Sequence, residues 1–112
     1  IDYHIERVCL RNGMVVLAKA FRDANIARLF VSAAVEGAVR ATTKRAVYYL
    51  AACVKARLPH LPRVMSFLDK TLWEARSYCP ELTTPDCPRC VFTSVCKKDT
   101  DLFQPVFRTL FY

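Results

Sequence analysis

Four cysteines, Cys79, Cys87, Cys90 and Cys96, follow one another with gaps of seven, two and five residues. Thiolates are strong ligands for soft metals, and a two-residue gap lets neighbouring sulfurs turn toward one centre. Three chemistries are open to such a set. A cubane [4Fe-4S] cluster needs one sulfur on each of four corner irons, which a compact loop can supply. A tetrahedral zinc site needs the same four thiolates but usually takes them as two short pairs, and Cys79 stands alone. Disulfides are the third, and the least favoured, because nothing at the start of the chain reads as a secretory signal and the six cysteines show no preferred framework. The spacing ranks iron–sulfur first and zinc second. Cys9 and Cys53 lie among apolar residues at helical spacing and read as small buried hydrophobes.

Such a loop needs a scaffold, and the rest of the chain reads as helix. Two Gly among 112 residues, abundant Ala, Leu and Arg, and apolar residues three and four apart predict an all-α domain over residues 1–112 with the cysteine loop at 79–96. Asp2 is a good N-cap for a helix over 2–12 that places Ile5, Val8 and Cys9 on one face, and Gly13 suits its end. A second helix is expected from about Asn25 to Arg40, with Ile26, Leu29, Phe30, Ala33, Ala34 and Gly37 as its apolar stripe. A third is expected to begin after Thr42 or Thr43 and to run toward Pro59, burying Val47, Leu50, Ala51 and Val54. Residues 14–22 suit strand and helix equally. Leu61 to Tyr78 reads as a fourth helix with Pro62 in its first turn and Val64, Phe67, Leu68, Leu72 and Trp73 inward. Beyond it Pro80, Pro85 and Pro88 forbid regular helix.

Composition narrows the partners. The net charge of +7 is uneven: residues 1–57 hold ten basic and four acidic side chains, or +6, and residues 58–112 hold seven and six, or +1. The first half is the candidate surface for a polyanion, with Lys44 and Arg45 as its test residues. Lys or Arg interrupts every apolar run, so no membrane partner is expected and the chain is assigned to the cytoplasm or, in a eukaryotic cell, the nucleus. Opening on Ile1, it reads as a fragment of a larger protein.

Two stretches resemble one family, the helix-hairpin-helix DNA glycosylases of the endonuclease III and adenine glycosylase type. The opening Ile1-Asp2-Tyr3-His4-Ile5-Glu6-Arg7-Val8-Cys9-Leu10-Arg11 is similar to the segment that carries that family's catalytic aspartate. Leu68-Asp69, Leu72-Trp73 and Arg76-Ser77-Tyr78-Cys79, then Cys87-Pro88-Arg89-Cys90 and Cys96, resemble the helix and loop that hold its cluster. The resemblance implies a [4Fe-4S] cluster on Cys79, Cys87, Cys90 and Cys96, with Asp2 in the place of the catalytic carboxylate. It implies double-stranded DNA as partner, and Arg7 and Arg11 as candidate groove-lining residues beside Lys44 and Arg45. The implied reaction is base excision: hydrolysis of the N-glycosidic bond of a damaged or mismatched base, with AP lyase activity in bifunctional members. Asp2 as a simple N-cap and His4 as a brace are the plainer roles.

The chain departs from that pattern in several places. The first cysteine gap is one residue longer than usual, Tyr3 stands where Thr is common, and residues 80–86 carry Glu81 and Asp86 but no basic residue. The stretch between Asp2 and Cys79 is longer, which predicts an altered or extra helix within 14–57. The family's hairpin and its lysine lie before the aspartate, so no lysine here takes that nucleophilic role.

Overall fold

Helix α1, Tyr3–Asn12, is framed by the two signals that its sequence carries. The Asp2 carboxylate accepts from the Ile5 amide at 2.9 Å, satisfying one of the donors left unpaired at a helix start. Gly13 ends the helix at φ 88°, a left-handed conformation that glycine adopts without cost, and a Cβ there would sit 2.6 Å from the Lys97 side chain. We describe residues 1–106 of a computed structural model. Among them there are four α-helices and one short 3₁₀ turn, and no helix is long and apolar enough to cross a membrane.

Residues 14–18 are irregular and α2 is Lys19–Ile26, so the ambiguous stretch divides between loop and helix. The expected helix from Asn25 does not form. The chain turns at Arg28, which has φ 59°, and Ile26, Leu29 and Phe30 are exposed instead of forming a buried stripe. Asn25 explains the turn: its side-chain amide donates to the Phe103 carbonyl at 2.6 Å, and its carbonyl accepts from the Phe103 amide at 2.8 Å. A buried amide satisfied by backbone on both sides fixes this corner to the distant 102–104 segment.

Helix α3, Ala33–Arg57, joins what the sequence predicts as parts of two helices. Ser32 caps its start by accepting from the Val35 amide. Thr42 and Thr43 do not begin a new helix. Their hydroxyls donate to the carbonyls of Ala38 and Val39, four residues back, so two N-cap formers are accommodated inside a continuous helix. Helix α4, Val64–Ala75, starts two residues after Pro62 and is shorter than expected. It buries Leu68 and Leu72, while Phe67 and Trp73 stay exposed and the Arg76 guanidinium covers the Trp73 ring at 3.8 Å.

Helices α1, α3 and α4 pack pairwise around a core that includes Ile5, Val8, Cys9, Leu10, Val39, Val47 and Leu72. Cys9 is fully buried, with its thiol pKa pushed up to about 12 by burial, as a small hydrophobe would be placed. Helix α1 is the centre of the fold: every residue from Ile5 to Arg11 is buried, Glu6, Arg7 and Arg11 among them.

Candidate metal centre

The cysteine loop begins where α4 frays. The amides of Ser77, Tyr78 and Cys79 fold back on carbonyls of Glu74 and Ala75, and the Asp86 amide then closes the 79–85 excursion on the Tyr78 carbonyl at 2.8 Å. Pro88 sits in the 3₁₀ turn Cys87–Arg89, whose fixed φ helps bring Cys90 back toward Cys87, with the Cys90 amide donating to the Cys87 carbonyl at 3.1 Å. The Cys96 amide donates to the Phe92 carbonyl. After Cys96, the amides of Lys97 and Asp99 donate to the carbonyls of Asn12 and Arg11, groups that the end of α1 leaves unpaired.

This path brings the four cysteines to one place. Cys79, Cys87, Cys90 and Cys96 line a common small cavity with Arg11, Tyr78 and Lys98 among its other walls, and all are free thiols. Among the described residues, no three His, Cys, Asp or Glu side chains converge closely enough to hold a single metal ion. Donors are aimed at two of the cysteine sulfurs: the Lys98 amide at Cys96 Sγ, 3.1 Å, and Arg11 Nη1 at Cys79 Sγ, 3.4 Å. Burial raises the Cys96 pKa, the Lys98 amide opposes this, and the other three cysteines add to the rise.

Arg7 and Arg11 do not line a solvent groove, a correction to their reading as nucleic-acid contacts. They are 1% and 4% exposed, and their donors are taken up inside the protein. Arg7 Nε donates to the Cys79 carbonyl and Nη1 to Gln104, which in turn bonds Glu81. Arg11 Nε donates to the Leu102 carbonyl at 2.6 Å, and its Nη1 to the Pro80 carbonyl at 2.8 Å as well as to Cys79 Sγ. The reason is their position on α1: at i and i+4 they share the face turned toward the loop. The sequence carries a trace of this, since two arginines four apart share a short helix with Ile5, Val8, Cys9 and Leu10.

At the other end of α1, His4 braces the helix as expected. Its ring lies 4.0 Å from that of Tyr3, its Nδ1 is 3.1 Å from Arg7 Nη2, and burial, then Arg7, lowers its pKa. Asp2 is half-buried and capping. Next to it, Ile1 borders a groove of about 370 Å³ between α3 and α4, lined also by Lys44, Val47, Tyr48, Met65, Ser66 and Asp69. Lys44 is exposed with its ammonium 5.7 Å from the Tyr48 ring centroid, and Arg45 is exposed beside it with Nη2 on the Thr42 hydroxyl. Tyr48 and the groove are absent from the sequence reading; the alternation of Lys44 and Tyr48 one helical turn apart is the signal that marks them.

No family model, curated protein or solved structure matches the chain. The functional reading therefore rests on these residues.

Proposed function

We propose that the chain is the iron–sulfur domain of a DNA glycosylase-like base-excision protein, with Cys79, Cys87, Cys90 and Cys96 holding a [4Fe-4S] cluster. What supports this reading is that the four cysteines, spread over residues 79–96, line one small cavity. A zinc ion needs all its sulfurs at about 2.3 Å from one centre. A cubane needs them apart, one at each corner. The buried cations fit as well: Arg11 bonds two carbonyls and a sulfur, and an anionic thiolate centre would supply the countercharge that a buried guanidinium needs.

Bound there, the cluster would tie the residues that follow α4 to the rest of the loop, which the Lys97 and Asp99 amides and Arg11 hold against α1. The chemistry on DNA belongs to the chain's own groups. Lys44, on the wall of the α3–α4 groove, and Arg45 next to it in sequence are exposed cations that would take phosphates. Asp2 keeps acceptor capacity beyond its single cap bond, so its carboxylate can stabilise positive charge developing at a sugar whose base is leaving. A second reading has its own observation. Asp2 already has a structural task, which favours a binding module that keeps the cluster and lacks the chemistry.

Metal analysis and base release test the two levels separately. Iron near four per chain supports the cluster, and stoichiometric zinc without iron overturns it. Single-turnover release of damaged or mismatched bases from duplex DNA by the full-length protein supports the enzyme; release from none of the duplexes favours the binding module.

A further inference from the structure

Glu6 lies inside the α1–α3 interface with its side chain wholly buried, and among the described residues neither of its carboxylate oxygens accepts a hydrogen bond. Arg40 Nε is 3.5 Å from Glu6 Oε1. Yet the Arg40 guanidinium donates to a second buried carboxylate, Glu36, and to the Ile1 carbonyl. Two buried carboxyl groups thus share one arginine, and that arginine also holds the residue before Asp2.

A buried anion without hydrogen bonds is far more costly than the neutral acid. The groups facing Glu6 are Arg40 and Glu36 from α3, and Asp2 and the Ile1 amino group from the N-terminal side. The neighbouring Cys9 is a neutral thiol, and α4 brings apolar Leu72 and Ala75 to the same core. We propose that Glu6 is a proton-operated positioning residue: neutral, it leaves Arg40 bonded to Glu36 and the Ile1 carbonyl, and ionised, it draws the guanidinium to itself and loosens the segment carrying Asp2. The step is a simple ionisation, with the proton leaving to solvent and no bond but O–H broken. Burial, opposed by Arg40 and reinforced by Glu36, lifts the Glu6 pKa to about 7, which puts the step near neutrality. An acid whose folded pKa is raised stabilises the fold fully below its unfolded pKa and loses that contribution as pH rises to the folded value. Between about pH 4.5 and 7 the folding equilibrium constant should therefore fall on the order of a hundredfold on this group's account.

The switch does not depend on the cluster; only its consequence for base release rests on the catalytic reading of Asp2. The test is a carbon-13 NMR titration of the glutamate carboxyls in the full chain, with hydrogen-exchange protection of the Ile5 amide, the Asp2 cap donor, followed alongside. Glu6 should titrate near 7, and Ile5 protection, corrected for intrinsic exchange, should fall in the same transition. Glu6→Gln should abolish that transition, and Glu36→Gln, by removing a like charge, should move it to lower pH. Titration of Glu6 in the ordinary carboxylate range overturns the proposal, as does Ile5 protection that stays flat while Glu6 ionises, or a transition unmoved by Glu36→Gln. Missing iron or absent base release would count against the proposed function and leave these signals in place.

Discussion

Replacing Arg11 by Met keeps the length and apolar bulk of the side chain and removes the guanidinium that ties α1 to the cysteine loop. Two strong hydrogen bonds disappear, to Leu102 O at 2.6 Å and Pro80 O at 2.8 Å, together with the weaker one to Cys79 Sγ at 3.4 Å. Bonds from a charged donor contribute roughly 1.5–3 kcal/mol each, so the two carbonyls alone give about 3–6 kcal/mol. Relief from burying a cation offsets part of that, leaving a net loss on the order of 3 kcal/mol. At the size of this domain that corresponds to a fall in Tm of roughly 10–20 °C. Thermal melts followed by circular dichroism, on iron-loaded and iron-free protein, read it directly. The loss should be larger with iron bound, because the Cys79 contact then engages a thiolate, and Arg11→Lys should recover less than half of it, since an ammonium cannot reach three divergent acceptors. A drop of under about 3 °C in both states would show that the loop is held to α1 by its backbone bonds and by Arg7, and that the Arg11 guanidinium is not what docks it.

Cys90→Ser should release most of the iron and loosen residues 76–106, because ligation and folding are coupled in small metal domains; full helicity and unchanged iron content would remove Cys90 from the ligand set. Charge reversal at both Lys44 and Arg45 should lower the slope of log affinity against log salt on duplex DNA by about 1.8, two phosphate contacts' worth, in an anisotropy titration, and an unchanged slope would remove both residues from the proposed DNA contact. Asp2→Asn should change stability by no more than about 0.5 kcal/mol, since Asn caps nearly as well as Asp, while slowing base release on the order of a hundredfold in the full-length protein. Equal rates for the two proteins would leave Asp2 with the cap alone.

The parts of the fold that show in the sequence are those governed by local chemistry. Asp2 and Gly13 bracket α1 because capping and a left-handed turn are decided within four residues. The run of three prolines marks the loop for the same reason. The misplaced boundaries were set by distant partners. Nothing near Asn25 says that its amide will be clamped by Phe103, and without that clamp the stretch from Asn25 to Arg40 does read as one helix. Thr42 and Thr43 look like helix starts, but their hydroxyls back-bond inside α3 once tertiary packing keeps the helix going. The four cysteines are grouped by their spacing along the chain, and in the fold they line one cavity. The arginines were not legible: charge alone argues for a surface, and only the loop folding over α1 supplies the carbonyls and sulfur that make burial tolerable.

That burial has a consequence for the site as a whole. Glu6, Arg7 and Arg11 occupy three of the seven consecutive buried positions of α1. A helix with only apolar residues there could rotate or slide by a residue at small cost, since oily surfaces are interchangeable. With two guanidiniums that must meet the Cys79 and Pro80 carbonyls, Gln104 and the Leu102 carbonyl, any other register strands a buried cation, at a cost of several kcal/mol. The charges thus fix α1 about its axis and along it. Asp2, nine residues before Arg11, is thereby held roughly 14 Å along the helix from the residue that touches the cysteine loop. Neutralising both arginines should therefore disturb Asp2 even though neither touches it: in an Arg7→Met, Arg11→Met double variant the Ile5 amide should lose protection along with the loop. Loss confined to residues 76–106, with Ile5 as protected as before, would mean that apolar packing of Ile5, Val8 and Leu10 alone sets the register.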